Sequence, residues 1–477
     1  MSSIYFIGMG GTAMASVAVA LSRSGHAVSG SDTALYPPMS DYLAQHRIAC
    51  HTDFDPENLI EDRPDTVVVG NAVSRGNPEL EFALNEHLRL VSMPEIVRRH
   101  FIEGNKSVVI AGTHGKTTTT SLTAWLFECG SLKPGFLIGG IAENFQAGCR
   151  ASGKNGTGFF VTEGDEYDTA FFDKRSKFLH YRPDIAVINN MEFDHADIFD
   201  SIEDIRKSFR QFVNLIPSRG VLLLNGHDEN ACLAGRQAFC PVERFGFSPE
   251  YEWAATEVSH APEGVSFTLR HRGNDAWRLR IEQFGNHNVL NSLAAIAAAC
   301  HGGVAIETIR EGLLTFKRPR RRMETVGEFP GGITLIDDFA HHPTAIVATL
   351  ESLRQRWPRR RIIACFEPRS NTSTRAVFQH DLESSFRDAD IVVLGRVHRP
   401  ERYDESERLD TGALAEAIER SGKTVFRGGS SKTDDYPRDI ARFLCSTMRP
   451  GDLVVLLSNG SFNGLKTLLT ESFRGKS

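Results

Sequence analysis

Ser107-Val-Val-Ile-Ala-Gly-Thr-His-Gly-Lys-Thr-Thr-Thr-Thr120 decides the fold class. Val108 to Ala111 is a continuous apolar run of strand length. Gly112-Thr-His-Gly115 is a tight loop, and Leu122, Trp125 and Leu126 follow at helical spacing. Strand, glycine loop, Lys-Thr and helix make the arrangement that cradles phosphate, because loop N–H groups and a helix N-terminus converge on the anion. Gly112, Thr113, His114, Gly115, Lys116, Thr117 and Thr118 are therefore candidate ATP contacts. Lys116 would reach the terminal phosphates, and the Thr117 hydroxyl would meet Mg²⁺. The common motif has a glycine where Ile110 stands, so this is a shorter loop opened by Gly112.

Outward from this stretch the chain reads as alternating strands and helices. Upstream, Ser3 to Ile7 is a strand, Gly8-Met-Gly-Gly-Thr-Ala13 a glycine turn, Met14 to about Ser24 a helix, and His26 to Ser29 a second strand leading to Asp32. Gly8, Gly10 and Ala13 with Asp32 match a dinucleotide fingerprint, which makes Gly10, Gly11, Thr12, Ala13 and Asp32 candidate substrate contacts. By itself that pattern fits NAD, FAD or a nucleotide-sugar equally. Thr66-Val-Val-Val-Gly70 is a further strand with Asn71 in the loop at its carboxyl end, where open α/β sheets hold ligands.

Downstream, Phe159 to Glu166 delivers Glu163, Asp165 and Glu166 to a strand end. Asp184 to Asn190 ends in Glu192-Phe-Asp-His-Ala-Asp197. Carboxylates and a histidine beside a phosphate loop suit Mg²⁺–ATP, since Mg²⁺ takes oxygen ligands and bridges phosphates. Asn288 and Asn291 share a face near a helix N-terminus. Arg318-Pro-Arg-Arg-Arg322 lies between two α/β segments and reads as a hinge with arginine facing phosphate. The last segment has strands at Ile333–Ile336, Ile362–Phe366, Ile391–Leu394 and Leu453–Leu457. With no third ligand at suitable spacing, the pair His341-His342 reads as substrate or nucleotide contacts rather than a zinc site.

With 477 residues the chain exceeds one core. The expected class is α/β with three domains, each a mainly parallel sheet with flanking helices: residues 1–104, 105–322 and 323–477. A net charge of −6 argues against nonspecific nucleic-acid binding. Eight scattered cysteines without a C-x-x-C pair read as reduced thiols of a cytoplasmic protein, and no apolar run has membrane-spanning length.

Gly112-Thr-His-Gly-Lys-Thr-Thr118, Glu163-Gly-Asp-Glu166, Asp194-His-Ala-Asp197, His287-Asn288 and Asp337-Asp-Phe-Ala-His-His-Pro343, in this order along the whole chain, resemble the ATP-dependent peptidoglycan-precursor (Mur) ligases. The resemblance implies a UDP-binding Rossmann-like domain, a central P-loop ATPase domain and a C-terminal Rossmann-like domain. It implies ATP, Mg²⁺ and amide formation through an acyl phosphate, by a monomer or weak homo-oligomer. Lys116, His195 and Arg322 are then expected in catalysis, and Thr117, Glu163 and His195 at metal. Asn288, Asn291 and Asp338 are expected on the nucleotide. Two branches of the family compete, both using UDP-N-acetylmuramate. One adds L-alanine; the other adds the tripeptide L-alanyl-γ-D-glutamyl-meso-diaminopimelate in peptidoglycan recycling. Glu367-Pro-Arg-Ser-Asn-Thr372 resembles the tripeptide branch, where the alanine branch has a histidine–arginine–tyrosine signature. Arg369, Ser370 and Asn371 are thus the peptide-side candidates. A nucleotide-dependent oxidoreductase is the distant alternative, resting on Gly8 to Asp32 alone.

Overall fold

A computed structural model of the protein describes residues 2–153, 158–194, 196, 198–273, 275–428 and 435–474. Three large sheets follow one another along the chain, and among the described residues Asp168–Ala170 and Asp173–Ser176 form a small two-stranded one. In the first, all five strands are parallel, in the order Ala49–His51, Ala27–Ser31, Ser3–Ile7, Thr66–Val69 and Leu90–Ser92. The helix after Ser3–Ile7 spans Thr12–Arg23, starting earlier than its apolar spacing suggests. Gly8 turns the chain with a left-handed φ of 82°.

The central sheet has ten strands. Its parallel core runs Val242–Gly246, Val221–Asn225, Ile185–Ile188, Lys106–Ala111, Phe159–Gly164 and Gly135–Ala142. Trp253–Ala261 joins Val242–Gly246 in parallel, and Gly264–His271 and Asp275–Ile281 extend it by antiparallel hairpins. Lys106–Ala111 lies within the parallel core with both faces covered from Ser107 on, which its apolar run Val108 to Ala111 requires. The helices Lys116–Cys129 and Asn286–His301 pack on one face with Phe127, Leu293 and Ile296 fully buried.

The third sheet is parallel except at one edge, in the order Glu324–Phe329, Ile333–Asp338, Leu453–Leu457, Ile362–Phe366, Ile391–Leu394 and Thr424–Arg427. The architecture is α/β throughout, with mainly parallel sheets. All eight cysteines are free thiols. Among the described residues no helix is long and apolar enough to cross a membrane.

Register determines what these sheets can do. Ala111 pairs with Gly164 on one side and Ile188 on the other, so three strands end level and release their loops at one edge. In the third sheet, Asp338 and Phe366 both pair with Leu457, which aligns the loops after residues 338, 366 and 457.

Beneath the first sheet lies a buried polar knot. Glu79 is fully buried and accepts hydrogen bonds from Tyr5 Oη (2.7 Å), Asn58 Nδ2 (2.9 Å) and Ser31 Oγ. Glu79→Ala would strand three donors away from water, so a loss of about 3 kcal/mol is expected. Urea denaturation of the variant checks this; an unchanged midpoint would show that the knot adds nothing.

Candidate active site

The loop Gly112–Gly115 is held from two sides. Thr113 N donates to Asn190 O (3.1 Å) and His114 N to Asn190 Oδ1 (2.7 Å), which ties the loop to the end of the neighbouring strand. Gly115 has a φ of 80°, and a Cβ there would stand 2.4 Å from Asn291 Oδ1. The second glycine is therefore required both by its backbone angle and by the approach of the helix Asn286–His301. Asn291 accepts from Thr119 Oγ1 (3.2 Å), and Asn288 donates to Phe284 O (2.7 Å). The two asparagines sit against the phosphate-loop helix as one buried rung.

Lys116 opens that helix and turns its ammonium back over the loop. Nζ donates to Gly112 O (2.6 Å) and to both carboxylate oxygens of Glu166 (2.9 and 2.7 Å). Burial works to lower the Lys116 pKa, but the facing carboxylates of Glu166, Asp165 and Glu163 outweigh it and raise it. Lys116 is thus a fully charged group in a place poor in water. Beside it, Glu163 accepts from Gly139 N (2.5 Å) and from Thr117 Oγ1 (3.1 Å). Burial raises the Glu163 pKa above the ordinary carboxylate value despite nearby Lys116 and Arg322.

Arg322 reaches this point from the link between the second and third sheets. Its Nη2 donates to Thr117 Oγ1 (3.3 Å), and its guanidinium lies over the Phe339 ring at 5.0 Å. Non-glycine residues at left-handed angles, Arg321 (φ 59°) and Met323 (φ 52°), bend the link around it. Arg321 donates to Ser458 O (2.5 Å) and Gly460 O (2.7 Å), so adjacent arginines face different segments. Asp338 accepts from Met323 N (2.6 Å), Ala340 N (2.9 Å) and Thr349 Oγ1 (3.2 Å). It braces the link, and burial raises its pKa.

These groups surround a cavity of about 1140 Å³. From the sequence candidates it takes Thr12, Ala13, Thr113, His114, Gly115, Lys116, Thr117, Thr118, Glu163, Asn288, Asn291, Arg322 and Asp338. Gly10, Gly11, Gly112, Asp32, Asn71, Arg369, Ser370 and Asn371 do not line it. Asp32 instead accepts from Gly10 N (2.7 Å) and Ala34 N (2.9 Å), which stiffens the first glycine turn. Arg369 leans on Glu367 (3.5 Å) and Asn463 (3.3 Å) within its own segment. His195 lies outside the described residues.

Sequence reading gave no site role to Lys177, which pairs with Asp165 at 2.7 Å, or to Arg318 individually, a partly buried cation on the cavity wall. Arg318 stood in the basic run already noticed.

Comparison with known proteins settles the family. Residues 3–103 match the Mur ligase family catalytic domain, residues 110–299 the Mur ligase middle domain, and residues 321–460 the Mur ligase glutamate ligase domain. A relative from Haemophilus influenzae, UDP-N-acetylmuramate–L-alanyl-γ-D-glutamyl-meso-2,6-diaminoheptandioate ligase, is 36% identical over 477 residues, the whole of both chains. The Escherichia coli protein of that name is 37% identical over 99% of this chain and 98% of its own. The chain belongs to the Mur ligase family. The crystal structure of a murein peptide ligase from Psychrobacter arcticus superposes with a TM-score of 0.74 at 33% identity, covering 99% of each chain.

As a Mur ligase the protein is an ATP-dependent, amide-bond-forming enzyme that uses a divalent metal. The donor set at Thr117 and Glu163, a hydroxyl and a carboxylate beside the phosphate loop, suits a hard, oxygen-seeking cation.

The raised pKa of Glu163 carries a stability consequence. The folded form holds the proton more tightly than the unfolded form, so stability falls as pH rises from the unfolded carboxylate value through the folded one. Glu163→Gln removes the charge and keeps an acceptor for Gly139. It is expected to raise the thermal midpoint of the ligand-free protein near neutral pH and to match the parent at acid pH. Differential scanning fluorimetry at both pH values checks this, and a lower midpoint near neutrality would contradict it.

Proposed function

We propose that this Mur ligase joins the tripeptide L-alanyl-γ-D-glutamyl-meso-diaminopimelate to UDP-N-acetylmuramate, with ATP and Mg²⁺, in peptidoglycan recycling within the cytoplasm. The observation that carries the chemistry is the meeting of Lys116, Thr117, Glu163 and Arg322 at one point, from three separate parts of the chain. The choice of amine is supported by the end-to-end relatives of that name and by Glu367-Pro-Arg-Ser-Asn-Thr372.

The work divides along the chain. Residues 1–104 take the UDP-sugar, with Gly10 to Ala13, Asp32 and Asn71 on its side. Residues 105–322 take ATP, and residues 323–477 close on the nucleotide and present the peptide, with Arg369, Ser370 and Asn371 nearest to it. Thr117, Glu163 and His195 would hold Mg²⁺, which would supply positive charge against the triphosphate.

A carboxylate does not accept an amine, because oxide would have to leave. The lactyl carboxylate of UDP-N-acetylmuramate first attacks the γ-phosphorus of ATP, giving an acyl phosphate and ADP. The alanine amine of the tripeptide then attacks the carbonyl carbon, the C–O bond to phosphate breaks, and the amine loses a proton. Two anions must meet in the first step. Lys116 and Arg322 offset that repulsion and stabilise the charge as it moves to the bridging oxygen. Glu166 keeps Lys116 charged and in place until the triphosphate arrives. The acyl phosphate must be kept from water, and the third segment packed over the phosphate loop provides that cover.

Phosphate release from ATP should appear with UDP-N-acetylmuramate plus tripeptide, and not with L-alanine in its place. Turnover with alanine alone would move the enzyme to the other branch. Lys116→Ala is expected to lower turnover about 100-fold or more while UDP-N-acetylmuramate still binds. Calorimetry beside the phosphate assay separates the two effects, and normal turnover would remove Lys116 from catalysis.

A further inference from the structure

One cluster of ligating side chains in the cavity takes no part in the chemistry above. His114 stands in the phosphate loop, Glu192 follows the strand Ile185–Ile188, and His342 caps the helix Pro343–Arg356. His114 Nε2 lies 3.6 Å from Glu192 Oε2, and His342 Nδ1 lies 3.7 Å from the same oxygen. The ligating atoms of all three fall within 4.8 Å of one another. We propose that His114, Glu192 and His342 form a site for a transition-metal cation of the zinc class, sharing no residue with the oxygen donors Thr117 and Glu163.

The spacing fits such an ion. Tetrahedral coordination with bonds of about 2.1 Å places neighbouring ligand atoms about 3.4 Å apart. The two distances to Glu192 need only a small contraction, and the two histidine nitrogens, within 4.8 Å of each other, close further by side-chain rotation. The donor set also selects: two imidazole nitrogens and one carboxylate oxygen suit Zn²⁺, Co²⁺ or Ni²⁺, whereas Mg²⁺ seeks oxygens and keeps its waters.

Three further features prepare the ligands. His342 Nε2 lies 3.2 Å from Phe193 O, which can only accept, so this nitrogen carries the proton. The Nδ1 lone pair is thereby turned to the cluster, where it takes just a long hydrogen bond from Thr344 N (3.3 Å). An imidazole fixed by a backbone carbonyl is the usual support of a metal-bound histidine. Thr344 Oγ1 donates to Glu192 Oε2 (2.6 Å) and holds the carboxylate between the two rings. Among the described residues His114 Nε2 is buried without a hydrogen-bond partner, a cost that a bound cation would remove. All three residues line the cavity, so water or a ligand oxygen can complete the coordination.

His114 and Glu192 belong to the central sheet and His342 to the third. A cation here joins the two segments, so it binds the docked arrangement in preference to any other and stabilises it by mass action.

The test uses the full chain without nucleotide or peptide, so its outcome does not depend on which amine the ligase accepts. Co²⁺ is titrated in the presence of a non-chelating reductant, followed by visible absorption and calorimetry. One equivalent should bind and give the intensified visible bands of a low-coordinate site, without the thiolate charge-transfer band that the free cysteines would produce. Zn²⁺ should displace it, and excess Mg²⁺ should not. His114→Asn and His342→Asn should each weaken binding at least about tenfold, while His341→Asn binds as the parent does. Circular dichroism in chelator identifies any variant that fails to fold, and Glu192→Gln then serves in its place. The proposal is overturned if the parent binds no Co²⁺, if binding carries the thiolate band, or if folded variants of the three ligands bind as tightly as the parent.

Discussion

Everything at this site depends on keeping one ammonium charged where water is scarce. Lys116 sits at the start of a helix, with its Nζ folded over the loop that precedes it. A positive charge at a helix N-terminus is unfavourable against the macrodipole, and burial adds to the cost. Glu166 answers both with two short hydrogen bonds. Glu166 can be there only because Ala111 and Gly164 pair in register, so that the strand Phe159–Gly164 ends where the phosphate loop begins. The sheet therefore places a counter-charge as well as supporting a loop. A slip of one residue in that pairing would turn Glu163 and Glu166 away and leave Lys116 unbalanced.

Much of this was legible in the amino-acid order. The phosphate loop, the acidic strand end after Phe159 and the apolar strands of all three sheets are local patterns. Burial on both faces demands continuous apolar strands, and a phosphate loop demands Gly115. The antiparallel extension from Trp253 to Ile281 was not read. Its strands mix polar and apolar residues at an edge, and nothing local says that they attach to the central sheet.

The site was legible by type and less so by partner. Asp32 carries the spacing of a ligand-binding acid, and in the ligand-free fold each of its oxygens already accepts from a backbone N–H, of Gly10 or Ala34. Arg369 has the fork to grip a carboxylate, but Glu367 and Asn463 stand beside it. Residue type states what a group can bind; only packing states what it meets first. His341-His342 shows the converse. Read along the chain the pair lacks a third ligand, and one of the two does find company, from His114 and Glu192 more than a hundred residues upstream. Ligands gathered from three strand or helix ends leave no spacing to recognise.

The charges around the cavity explain why the parts must come from different segments. Glu166 faces Lys116, and Glu163 and Asp338 face Arg322, though burial raises the pKa of these last two acids and works against their charged forms. Had all these cations been built into the central sheet, their repulsion without ligand would strain the very loop that must stay ordered. Placing Arg318 and Arg322 on the link after the helix Ile306–Thr315 lets their positions change with that of the third segment. On the proposed function, an arriving triphosphate would give Arg322 a stronger partner than the Thr117 hydroxyl. Electrostatic attraction and segment closure would then become one event, and the charge that stabilises phosphoryl transfer would be assembled by the substrate that needs it.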